Sequence, residues 1–479
     1  MINRGEEIGT VAASPSKEFF VDMLTKDISL QDAILDLLDN CVDGIVRTKE
    51  ETDDKTLPYD GFSTIIEMSA EHFSISDNCG GIPIETARNY AFAIGKQNPE
   101  QTGEKAATIG RYGIGMKRAI FKLGTLALVE SLHDTGFVVE FTPEWIREDA
   151  WNDLPMYEIS ADSPSVRGTK IEVYELNDET KSAFADREWV DEFRAIVAHH
   201  YSMIIGKGFS ICVKSDFDEE GDADPIPVEE FKLLRAGKTN SSGDQIAPII
   251  YHGELGEVRV EIYAGLYRKL LTDDQIEDAE DTSSTSNDAG WTVACNDRVV
   301  IWKDKSRLTG WGEASVPNFH GQFIAITGLV LLHSDNLKAL PLTTTKRGVD
   351  ASSKIYSEVK DLMREATKNL TSFTNKWKKF PKDLEEVYKS SEYVGLSDLR
   401  LLHQSVKMTR IRRFSGIQKF EPSYPTPTQE SNGVRVSFPA LKSEVERLAH
   451  HYFDDPKVKA GEVGEAAFKD AVSRLGDAE

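Results

Sequence analysis

The sequence predicts an α+β protein of several domains, and three observations carry that expectation. A helix near the amino terminus, Ser29 to Arg47, shows an apolar and a carboxylate stripe at helical spacing. Strand-like runs follow it, separated by glycine-rich turns. A length of 479 residues leaves room for roughly two to four domains.

In the helix, Leu30, Ile34, Leu37, Cys41 and Ile45 form one stripe; Asp32, Asp36, Asn40, Asp43 and Arg47 form the other. Ser29 with Asp32 reads as a shortened amino-terminal capping box. Stacked carboxylates repel by a few tenths of a kcal/mol per exposed pair, a cost that a bound cation would put to use. The plainer alternative is an amphipathic helix with an acidic solvent face. FSTIIEMS and HFSISD then read as strands, placing Asp77 at a strand exit. In the turn Asp77-Asn78-Cys79-Gly80-Gly81, glycine permits close approach of a ligand, and Asp77 could accept from the exocyclic amine of a planar heterocycle. Glu85 to Ile94 is expected to be helical, followed by a polar loop from Gly95 to Ala107. Gly110, Gly113 and Gly115 run into another helix, an arrangement whose backbone N–H groups suit phosphates, with Lys117 in support. The segment lacks both the strand-turn-helix setting of a dinucleotide fingerprint and the G-K-[ST] ending of a P-loop. Four further strands follow, the last opening at Gly168-Thr169, where the hydroxyl could reach the same heterocycle as Asp77. Trp189 to Met203 is helical, and its adjacent His199 and His200 read as packing residues.

The composition, 40% hydrophobic and 28% charged, is an ordinary globular balance. A formal charge of −24 argues against a surface that is wholly a nucleic-acid glove. No apolar run reaches the roughly eighteen residues of a membrane span, and the amino terminus has no hydrophobic signal region. A cytoplasmic protein without membrane attachment is expected. The four cysteines are widely spaced, which suggests neither a disulfide framework nor a cysteine zinc site.

Taken in order, these segments resemble the GHKL ATPase superfamily, the Bergerat-fold proteins that include MORC ATPases, MutL, the gyrase B subunit and the large heat-shock chaperones. Asp36-Leu-Leu-Asp-Asn40-Cys-Val-Asp43 is similar to the family's N box. The resemblance implies a two-layer α/β sandwich over residues 29–215, preceded by a strap over 1–28. It implies that Asp36 is the general base and that Asn40 binds Mg²⁺. Asp77 would take the adenine amine and Thr169 the adenine edge, with Gly110, Gly113, Gly115 and Lys117 on the phosphates. Asp43, Gly81, Ile82, Lys96, Ile114 and Met116 complete the implied ATP-binding set. Two positions depart from the family pattern. Asp36 is one methylene shorter than the usual glutamate, which predicts slow turnover, and Cys79 replaces the first glycine of the family's turn. The histidine-kinase branch fits poorly, because no phosphoacceptor helix pair precedes the domain.

Residues 216–374 are expected to form an S5-like α/β transducer domain with an exposed acidic loop over 272–290. By resemblance, Lys346 in Thr343-Thr344-Thr345-Lys346-Arg347 would reach the terminal phosphate and stabilise charge on the transferred oxygens. Residues 375–479 form a mainly helical interaction region. Its basic stretches, with Trp377, Phe380, Phe414 and Phe420 interleaved, could bind DNA or RNA or balance acidic surface.

The expected protein is an Mg-dependent ATPase that works as an ATP-gated homodimeric clamp of MORC-like domain order, in DNA-related or defence functions. Two alternatives remain open. One is a heat-shock-type chaperone holding a client protein, the other a non-hydrolysing ATP-sensing adaptor for an effector.

Overall fold

A computed structural model describes residues 16–48, 57–93, 114–148, 152–159, 167–219, 224–236, 245–271, 288–343, 348–378, 380, 388–389, 391–427, 436, 438–455 and 457–476. Helix α1, Lys17–Lys26, is capped by the Ser16 side chain. Helix α2, Leu30–Thr48, starts as its sequence predicts: the Ser29 hydroxyl accepts from Asp32 N at 3.1 Å and donates to Asp32 Oδ2 at 2.7 Å. Its acidic stripe, however, is not a solvent face. Asp36 and Asp43 of that stripe are buried, and so are Asp39, which lies off it, and Ile34, Leu37, Leu38 and Ile45. Burying charge is unfavourable without partners, so this helix must be matched on nearly every side.

The first sheet holds β1 (Ser63–Met68), β2 (Phe73–Asp77), β3 (Gly124–Leu132), β4 (Gly136–Phe141), β5 (Met156–Glu158), β6 (Gly168–Leu176) and β7 (Ser210–Ser215). Its order is β5-β4-β3-β6-β2-β1-β7, antiparallel throughout except that β7 runs parallel to β1. The expected helix after Asp77 is a short α3, Ile84–Thr86, which continues as a π-turn over Ala87–Ala91. Then come α4 (Gly115–Leu123), α5 (Pro143–Arg147), α6 (Asp178–Phe184) and α7 (Arg187–Ile205). Ile34 and Leu38 of α2, Ile120 of α4 and Phe193 and Val197 of α7 pack on Ile66, Phe73, Ile75, Val129 and Val173 of the sheet. This is the expected two-layer sandwich. Period-2 burial in β1, where Thr64, Ile66 and Met68 point inward, is what the alternation in its sequence requires.

The second sheet takes β9 (Ile249–Leu255), β10 (Val258–Leu266), β11 (Gly290–Cys295), β12 (Arg298–Asp304) and β13 (Ile326–His333), while β8 (Lys232–Ala236) pairs with β14 (Ser391–Gly395) in a separate ribbon. Strands β15 (Thr409–Arg410) and β16 (Ile417–Phe420) extend it, giving the order β12-β11-β13-β10-β9-β16-β15. Helix α8, Lys354–Trp377, covers one face through Tyr356, Val359, Met363, Ala366 and Leu370. The opposite face, with Ile250, Tyr263, Leu329 and Leu331, is covered by Leu233, Val394 and Leu399, the last on α9 (Leu396–Ser405). Both sheets belong to one unit ending at Thr426. The remaining unit begins at Pro427 and holds α10 (Lys442–Phe453) and α11 (Ala460–Gly476), tied together by a 2.8 Å hydrogen bond from the Tyr452 hydroxyl to Asp470. The carboxy-terminal region is thus mainly helical, with three short strands lent to the second sheet and its ribbon. Most of the acidic segment 272–290 lies outside the described residues, as do Lys96, Gly110, Gly113 and Lys346.

Candidate functional site

At the end of β2, Asp77 turns its Oδ1 back onto the chain and accepts from Cys79 N at 2.7 Å and Thr169 N at 3.3 Å. The aspartate thereby joins its own turn to the start of β6. Asn78 pins the other side of the turn, accepting from Ser63 N at 2.6 Å and donating to Gly61 O at 2.9 Å. Burial pushes the Asp77 carboxyl above the usual carboxylate range, opposed by the Cys79 and Thr169 backbone donors and by the Cys41 and Cys79 thiols.

The left-handed positions of this turn are Gly80 and Gly81, at φ 100° and 72°, so Cys79 is spared a conformation that would strain it. Its side chain is buried, and Gly44 of α2 lets it approach: a Cβ there would lie 2.6 Å from Cys79 O. That close approach places α2 against the aspartate turn. Gly81 is more tightly held, since a Cβ on it would lie 2.2 Å from Leu132 O. Ile82 N donates to the Ser131 hydroxyl at 2.8 Å, and Ser131 shares a 3.0 Å hydrogen bond with Thr169 Oγ1. Gly81→Ala is expected to lower unfolding stability by about 2–4 kcal/mol, combining a φ penalty with a backbone clash. Chemical denaturation checks this, and an unchanged midpoint would contradict it.

Asp36, Asn40 and Asp43 occupy successive turns of α2, with Asn40 the most accessible of the three. The amino end of α4 abuts Asp36: a Cβ on Gly115 would lie 3.3 Å from Asp36 Oδ2. From the same first turn of α4, Arg118 forms an ion pair with Asp36 Oδ2. Arg118 Nε is itself buried with no hydrogen-bond partner among the described residues. Ile114 and Met116 flank Gly115 at this helix end. The arrangement sets a glycine-led helix amino terminus, which favours anions, beside a carboxylate that could accept a proton. No three His, Cys, Asp or Glu side chains among the described residues are grouped to hold a metal ion. Asn40 nevertheless suits Mg²⁺, which takes few protein ligands and completes its shell with phosphate oxygens and water.

Lys117, expected on the phosphates, is turned toward the carbonyls that end the π-turn. Its buried ammonium donates to Ala91 O at 2.8 Å and Ala93 O at 2.6 Å, satisfying carbonyls at the end of the π-turn. Burial lowers its pKa from 10.5 to about 8. Below pH 8 folded and unfolded chains both hold the proton; between about 8 and 10.5 only the unfolded chain does, so stability rises with pH across that window. The unfolding free energy of the wild type relative to Lys117→Met is therefore expected to increase from pH 8 to 10.5. A difference that stays flat across the window would contradict this.

Two groups at this site escape sequence reasoning. Arg118 sits beside the lysine of a glycine-led motif and looks interchangeable with it until helix phase is known. Asp39 lies off the acidic stripe yet is buried, accepting from the Tyr201 hydroxyl at 2.6 Å and facing Arg298 Nε at 2.9 Å. The one signal for it is its i+4 spacing from Leu35, which puts a carboxylate on the packed side.

Residues 28–166 match the family model described as histidine kinase-, DNA gyrase B- and HSP90-like ATPase. No curated protein matches the chain. No helix of the described residues is long and apolar enough to cross a membrane.

Proposed function

We propose, for a chain whose residues 28–166 belong to the GHKL ATPase superfamily and so form an ATP-binding domain, that it is a slow Mg-dependent ATPase in which nucleotide gates the closure of two copies. The observation that carries this reading is the placement of Asp36 against the glycine-led end of α4, with α2 also touching the Asp77 turn. In this reading Asp77 accepts the adenine amine through the oxygen not engaged by backbone, and the Thr169 and Ser131 hydroxyls border the same ring. Gly81 and Ile82 form its floor. The amino end of α4, with Ile114, Gly115 and Met116, receives phosphate; Gly110, Gly113, Lys96 and Lys346 would join from segments outside the described residues. Asn40 would hold Mg²⁺, which supplies charge neutralisation at the phosphates, with Asp43 on the next turn.

Asp36 would take the proton of the attacking water, and Arg118 is the group it must leave to do so. Slow turnover follows, because each cycle must break an ion pair as well as extend a short carboxylate toward water. The same contact favours a second reading, an adaptor that binds ATP without hydrolysing it. Arg118→Ala separates them: turnover in the variant is expected to rise or hold if Arg118 is a gate, and no turnover in either protein supports the adaptor.

Closure of two copies predicts that the intact chain sediments as a monomer alone and as a dimer with a non-hydrolysable ATP analogue and Mg²⁺. A constitutive dimer would favour a chaperone-like protein instead. Nucleic acid remains a proposed partner of the basic stretch. Part of that stretch is neutralised internally, Arg413 by Asp361 and Lys419 by Glu365 and Glu421. Lys407, Arg410 and Arg412 are exposed, and duplex DNA is expected to stimulate turnover if they bind backbone phosphate.

A further inference from the structure

We infer that Arg298, supplied by the second sheet, is a positioning residue for the helix that carries Asp36 and Asn40. The hairpin tip at Asn296–Asp297 would then couple that sheet to the chemistry. This coupling presupposes the ATPase reading above.

Strands β11 and β12 are joined by only two residues, Asn296 and Asp297, at φ 46° and 66°. Both are left-handed, as a tight hairpin turn requires, and Asn and Asp are the non-glycine residues that tolerate it best. Such a tip is short and stiff, and it is gripped from two directions.

On one side Arg298 is 2% exposed, with its Nε 2.9 Å from Asp39 Oδ1 and its guanidinium carbon 4.1 Å from the centre of the Tyr201 ring. The Tyr201 hydroxyl donates to Asp39 at 2.6 Å and to Leu35 O at 3.1 Å. Arg298 and Tyr201 thus hold α2 at Leu35 and Asp39, the residues next to Asp36 and Asn40. On the other side Asp297 accepts from Lys207 Nζ at 2.6 Å and Tyr59 Oη at 3.1 Å, both of the first domain, and meets His333 Nε2 of β13 at 3.1 Å. Helix α7 lies along the same strand, where His200 Nδ1 is 2.6 Å from Val299 O and His199 stacks on Trp302 at 4.5 Å.

A weld alone would not need these charges, because a buried ion pair is often no more stabilising than apolar residues of similar volume. What a buried pair does supply is registry. Asp39 can pair with Arg298 and accept from Tyr201 only at one rotation and height of α2, and that setting would aim Asp36 and Asn40 toward the nucleotide. Movement of the β11–β12 hairpin would be felt at both.

The test uses the intact chain with Arg298→Met, Asp39→Asn and the double variant. Arg298→Met is expected to leave the ATP Kd within about threefold while kcat falls by roughly 10- to 100-fold, the scale of a small misplacement of reacting groups. In the double variant no unpaired charge remains, so thermal stability should recover while kcat stays low. Amide exchange over residues 35–43 should be faster in Arg298→Met than in the wild type. A wild type that binds ATP but hydrolyses nothing would sink the ATPase reading, and the exchange comparison would then decide this inference. Unchanged exchange, an unchanged kcat, or a kcat that recovers together with stability in the double variant would overturn it.

Discussion

Asp36→Asn is expected to lower ATP turnover by about 10²- to 10⁴-fold, the range for loss of a general base, while leaving ATP binding close to wild type. The amide is isosteric, so it keeps the packing against Gly115 and can still accept from Arg118, but it cannot take a proton from water. Asn40 keeps its place on the same helix. Phosphate release measured with ATP binding on the same preparations checks the split. Turnover that survives the substitution would remove Asp36 from the mechanism, and turnover lost together with binding would show that it serves the fold.

Asp77→Asn is expected to weaken ATP binding by roughly 10- to 100-fold without unfolding the protein. Asp77 Oδ1 already accepts from Cys79 N and Thr169 N, and the amide oxygen of asparagine can do the same. Its NH₂ then replaces the oxygen not engaged by backbone and presents a donor to the adenine amine, itself a donor. Losing a hydrogen bond to a charged acceptor and creating an unpaired buried donor costs about 1.5–3 kcal/mol. Titration of MgATP into the folded variant checks this; affinity equal to wild type would place adenine elsewhere.

These residues differ in how far the sequence alone exposed them. Asp36, Asn40 and Asp77 stood out because helical spacing and a strand-ending turn are local signals. The Ser29 cap was legible for the same reason. The burial of the carboxylates of α2 was not, since the partners that make it tolerable come from distant segments: Arg118 reaches Asp36 across 82 positions, and Arg298 reaches Asp39 from the second sheet. No periodicity announces such pairs. Lys117 and Arg118 are neighbours of like charge, and only the phase of α4 sends one to the π-turn carbonyls and the other to Asp36. The π-turn at Ala87–Ala91 was likewise hidden, because its sequence has the apolar content of an ordinary helix. Cys79, which replaces the first glycine of the family's turn, carries no φ strain because the positive φ values fall on Gly80 and Gly81.

The measurement that bears most directly on the whole account is equilibrium titration of a fluorescent ATP analogue into the intact, folded wild-type chain with Mg²⁺. The account predicts saturable binding at one site per chain, displaced by ATP and ADP and poorly by GTP, whose purine edge carries a carbonyl oxygen where adenine carries the amine that Asp77 would accept from. Absence of saturable binding by folded protein, or displacement by GTP as readily as by ATP, would contradict it.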